Sequence, residues 1–92
     1  MTSPSEIATM AAQMRDWCVA HEIDCVIVAT VGMGGPTLHL RLEDFGRTFA
    51  GRKVDVTAGS GFDHLRASAV GFDVIAVRPM PMTLGQRVEV MP

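Results

Sequence analysis

The chain predicts an α+β fold: a single two-layer domain in which an N-terminal amphipathic helix and one or two short helices pack on a mixed sheet of 4–5 strands. Three observations carry this. At 92 residues there is material for one core and one layer of helices on one sheet. The first twenty residues repeat their apolar side chains at helical spacing, whereas several later segments are short, β-branched or alternating. No internal repeat, linker or low-complexity tract divides 1–92 into parts.

The elements follow in order. Ser3-Pro4-Ser5-Glu6 supplies a capping hydroxyl, a proline suited to the first helical position, and a glutamate that can reach back to the cap. Ile7, Met10, Ala11, Met14, Trp17, Cys18 and His21 then form one stripe, the expected buried side of the helix. Asp24 to Val31 is an unbroken apolar run too short for another helix, which predicts a central strand covered on both faces. Gly32 to Pro36 breaks the chain as a glycine hairpin turn, and Thr37 to Leu42 alternates as a half-exposed strand with Leu38, Leu40 and Leu42 on one side. Phe45 and Phe49 at i, i+4, with Glu43 placed to pair with Arg47 and Gly51 at the end, favour a short helix over Glu43 to Ala50.

Lys53 to Thr57 reads as a strand with Val54 and Val56 inward. Ala58 to Gly61 is a turn, and Ser60 with Asp63 three residues on predicts a capped helix through Val70, ended by Gly71. Asp73 to Arg78 is a second buried strand, Pro79-Met80-Pro81-Met82 a stiff loop, and Gln86 to Met91 a last edge strand alternating around Val88 and Val90.

Composition restricts function. Apolar residues make up 48% and charged residues 20%, too apolar for disorder, and no apolar run is long enough to cross a bilayer. The start has neither a basic n-region nor a secretory apolar segment, so a soluble cytoplasmic protein is expected. Two cysteines, Cys18 and Cys25, are too few for a disulfide framework and read as free, buried thiols. The net charge of −2 gives no case for nucleic-acid affinity, although the part up to Gly46 carries about −4 and the remainder about +2, an asymmetry that can orient a partner.

Candidate chemistry is sparse. Gly32-Met33-Gly34-Gly35 follows a strand, but Pro36 and another strand follow it, where a phosphate loop would open a helix. Cys18, His21 and Cys25 have metal-like spacing, yet no fourth ligand is near in sequence and the first two fall on the apolar stripe; no metal and no cofactor is expected. For acid–base catalysis the candidates are His39, Asp55 and His64, with His39 and Asp55 adjacent if their two strands pair.

Gly51-Arg52-Lys53-Val54-Asp55-Val56-Thr57, with Leu65-Arg66 and Ala69-Val70 beyond it, resembles the later part of minimal nucleotidyltransferase domains over about a third of the chain. The resemblance implies that Asp55 corresponds to a third metal-binding acid. The family's Gly-Ser motif and D-x-D pair are missing: the corresponding segments read Val31-Gly32-Met33-Gly34-Gly35 and Leu38-His39-Leu40-Arg41-Leu42. A small or degenerate enzyme is thus the alternative to the leading expectation.

That expectation is a non-catalytic binding module that self-associates, as a dimer, or meets a protein partner. Mean hydropathy is +0.25, and seven methionines offer adaptable apolar contact area. Met33 in a turn, Met80 and Met82 in a proline-punctuated loop, and Val88, Val90 and Met91 on an edge strand are the expected interface. Seven arginines against one lysine fit an interface as well.

Overall fold

A computed structural model describes residues 3–32, 35–79 and 85–92. The element order is α1 (Pro4–Ala20), β1 (Val26–Gly32), β2 (Gly35–Leu40), α2 (Leu42–Thr48), β3 (Lys53–Ala58), β4 (Phe62–Ala69), β5 (Phe72–Pro79) and β6 (Gln86–Val90). The six strands form one mixed sheet in the order β1-β2-β5-β4-β3-β6. Among the described residues β2 and β5 run parallel and the other neighbouring pairs are antiparallel. The order β6-β3-β4-β5 is that of a Greek key, with the last strand returning beside the first of the four. The α+β class therefore holds, with six strands instead of four or five.

The extra strand is the main correction. Residues from Ser60 to Val70 do not form a helix: Phe62–Ala69 is β4, in which Asp63, Leu65 and Ala67 are buried while His64, Arg66 and Ser68 are exposed. That is a period of two, and it outweighs the apparent cap formed by Ser60 and Asp63. Tight turns make the segment a meander. Gly61 (φ +84°) and Gly71 (φ +82°) adopt the left-handed conformation between paired strand ends, Ala58 with Asp63 and Ala69 with Phe72.

The second correction concerns which strand is central. The Asp24 to Val31 run forms β1, an edge strand, and Val26, Ile27 and Val28 are exposed. An apolar run was expected to be covered on both faces, but the β1–β2 hairpin leaves this strand at the sheet's end. The central strand covered on its helix side is β5, with Phe72, Val74 and Ala76 buried.

Cross-strand register explains the core. Leu38 pairs with Val74, Ala67 with Val74, Leu65 with Ala76, and Val56 with Leu65, so these side chains share one face. Met14 and Cys18 from α1, Phe45 from α2 and Phe49 at the α2 C-cap close over that face in a single cluster. Met91 belongs to it too, at 6% exposure, which corrects its expected place outside the core. Its terminal methyl packs beside Gly46 of α2, 3.7 Å from where a β-carbon would stand, an ordinary contact distance.

Both ends of α1 are defined by the chain. Ser3 Oγ accepts from the Glu6 amide at 3.2 Å, as the capping sequence requires. At the other end Glu22 takes a positive φ of 56°, and the amides of Glu22 and Ile23 donate to the carbonyls of Val19 and Cys18. This is a Schellman closure, with Ile23 buried near Cys18. From α2, Arg47 donates to the His21 and Glu22 carbonyl oxygens at 2.9 and 3.1 Å, tying the helix end down. The stripe of α1 is buried only in its C-terminal half: Ile7 is 41% exposed and Ala11 lines an open groove beside Val26 and Leu38. Cys25, expected to be buried, is exposed, whereas Cys18 is buried.

Candidate functional site

Since both helices pack on one side, the opposite face of the sheet carries the side chains that the strand alternation turns outward. One cross-strand row runs through all six strands: Val28, His39, Ile75, Arg66, Asp55 and Val88, each paired with the next. A flanking row joins Val77, His64, Thr57 and Gln86. Beyond them Lys53 pairs with Val90. The face mixes exposed valines with charges of both signs, and Arg66 meets Asp73 at 3.6 Å.

The catalytic candidates all reach this face without converging. His39 and Asp55 lie in one row, but β5 and β4 separate them, three strand spacings or roughly 14 Å. The strands that were to bring them together do not pair. His64 and Asp55 are diagonal neighbours on β4 and β3, roughly 7–8 Å apart, and the His64 ring meets Phe62 edge-on at 5.0 Å between centroids. Among the described residues no hydrogen bond joins any two of the three. An open depression of about 460 Å³ runs along β3, walled by Asp55, Thr57, Arg66, Gln86 and Val88. It falls in the size range of ligand clefts but not in their mostly apolar character. Among the described residues, no group of three or more His, Cys, Asp or Glu side chains is placed to hold a metal.

The expected interface residues divide. Val88 and Val90 stand on the open face at 60% and 59% exposure. Met91 turns to the core, and Met33, Met80 and Met82 lie outside the described residues, as does most of the Pro79 to Met82 loop.

On the helix side of β6 the structure contains a feature that sequence reasoning missed. Asp63 is completely buried, and its carboxylate accepts from Arg78 at 2.8 Å and from Arg87 at 3.0 Å. Glu89 accepts from Arg78 at 2.7 Å and from Arg87 at 2.9 Å. Two cations and two anions from β4, β5 and β6 thus balance one another. The Arg78 hydrogen bond holds the Glu89 carboxyl below its ordinary value, outweighing burial, with Arg87 adding to it. Glu89 first, then Asp63, holds Arg78 above its ordinary value. The signal in the sequence was the strand period: Asp63 is in phase with Leu65 and Ala67, and Arg87 with Glu89.

A second such knot secures α2, where Arg41 bonds Asp44 at 3.0 Å and depresses its pKa. No family model matches the chain, and neither a curated protein nor a solved structure matches it. Among the described residues no helix is long and apolar enough to cross a membrane.

Proposed function

We propose that this chain is a non-catalytic interaction module that works by self-association, through the region of the open face where Val88 and Val90 stand. The observation that carries the reading is the one-sided sheet. Helices cover one face, while the other presents exposed valines on its outermost strand and half-buried Ile75 and Val77 farther in. Val88 and Val90 thus offer that edge apolar side chains that a second copy can cover. The charges on the face, Lys53 and Arg66 against Asp55 and Asp73, sum to zero, so a second copy meets no net repulsion there. A soluble cytoplasmic setting fits the reading, because an exposed Cys25 stays a thiol in a reducing compartment.

The separation of His39 from Asp55 supports a non-catalytic role over the enzymatic alternative. The test is solution mass by light scattering on the wild type and on a Val88→Glu, Val90→Glu variant. The reading expects a wild-type dimer and a folded monomeric variant. A wild type that stays monomeric at high concentration overturns it.

A further inference from the structure

The geometry points to a specific mode for that association, and rests on the proposal above: the β6 edges of two copies pair antiparallel about a twofold axis through Val88, joining two sheets into one. The two sheet edges differ in a way that selects β6. The β1 edge carries a register irregularity between Val26 and Val28, a bulge of the kind that blunts an edge. The β6 edge keeps an unbroken register with β3 from Gln86 to Val90 and has no proline or lysine within it. Among the described residues no strand lies on its outer side.

Backbone phase comes next. At the two ends of β6, the Ala58 amide donates to the Gly85 carbonyl and the Met91 amide donates to the Arg52 carbonyl. Alternation along the antiparallel ladder then turns the backbone groups of Arg87 and Glu89 toward β3, and those of Gln86, Val88 and Val90 outward. A twofold axis at Val88 sets Val88 against its own copy and Gln86 against the partner's Val90. Every outward N–H and C=O of the strand meets a counterpart.

Side-chain charge selects the same register. With Val88 on the axis, position 87 stands opposite the partner's position 89, so the Arg87 and Glu89 side chains, each already held within its own chain with Asp63 and Arg78, meet opposite charge across the axis. Sliding by one pairing step in either direction would place Arg87 against Arg87 or Glu89 against Glu89, like charges directly opposite, and would leave outward backbone groups unpaired. On the other face the exposed Val88 and Val90 of both copies become neighbours, covering the apolar patch. The strand is thus self-complementary in its backbone, its charges and its apolar side chains.

The experiment is directed cross-linking in a Cys25→Ser background, run beside the wild-type solution mass. In the proposed register the two Val88 residues form a hydrogen-bonded pair with Cα atoms about 5.5 Å apart, within reach of a short thiol-to-thiol cross-linking reagent. Val88→Cys should give a covalent dimer with that reagent, whereas Gln86→Cys or Val90→Cys alone should not and the two mixed together should. As a second arm, Val88→Pro removes an outward N–H that β3 does not use, and should weaken association at least about tenfold with an unchanged circular dichroism spectrum. A wild-type dimer that Val88→Cys fails to link, or that survives Val88→Pro, overturns the edge pairing while leaving self-association standing. A monomeric wild type overturns both.

Discussion

The two faces of this sheet are built from the same strands, and differ only in which alternate residue each strand turns to them. On β3, Val54 and Val56 go to the helices while Lys53, Asp55 and Thr57 go to the open side; on β4, Leu65 and Ala67 oppose His64, Arg66 and Ser68. The covered face stores the fold's stability, because its side chains leave water entirely beneath Phe45 and Phe49. The open face leaves its side chains partly in water, so it should contribute less to folding. The contrast teaches that the chain's chemistry-bearing residues, His39, Asp55 and His64, are where substitution should be tolerated, while unremarkable leucines and phenylalanines are where it should not.

The comparison breaks if the largest effect does not fall on the covered face. Phe45→Ala empties a site with no exposure and should cost about 3–5 kcal/mol in urea denaturation. Next comes the buried anion. Asp63→Ala removes the buried one of the two acceptors that Arg78 and Arg87 share, leaving Glu89 alone between them, and should cost about 2–3 kcal/mol, less than for a sealed ion pair because both arginines keep some water.

Acid probes both knots. Glu89 and Asp44 titrate below their ordinary values of 4.5 and 3.8, so the unfolded chain takes up protons first as pH falls. Their stabilisation is complete above about pH 4.5 and is lost below it, through the depressed folded values; urea midpoints taken across that window should fall, and less so in Glu89→Gln. The smallest effect belongs to the open face: His39→Ala with Asp55→Ala should shift stability by no more than about 0.5 kcal/mol per site. A loss of several kcal/mol there would mean the open face is structural.

Much of this division was legible in the residues. The capped first helix, the short helix around Phe45 and Phe49, and the strands at Lys53 to Thr57 and Gln86 to Met91 each follow from a local pattern, and each is present. Burial was harder to read than element type. The apolar run in β1 looks like a central strand, yet its neighbours are decided by the β2–β5 pairing, a contact between residues far apart in sequence. In β4 two local rules conflicted, a capping signal against a period of two, and the strand won because β3 and β5 offered it partners on both sides. The Asp63 knot depended on that choice: read as a helix cap, Asp63 has no reason to meet Arg78 and Arg87.

The central claim is that β6 is an interface strand, and amide hydrogen exchange resolved by residue tests it most directly. At high concentration the Val88 and Val90 amides should be protected, and on dilution they should lose protection while Arg87 and Glu89, bonded to β3, retain theirs. Val88 and Val90 amides that exchange freely at every concentration would contradict the account.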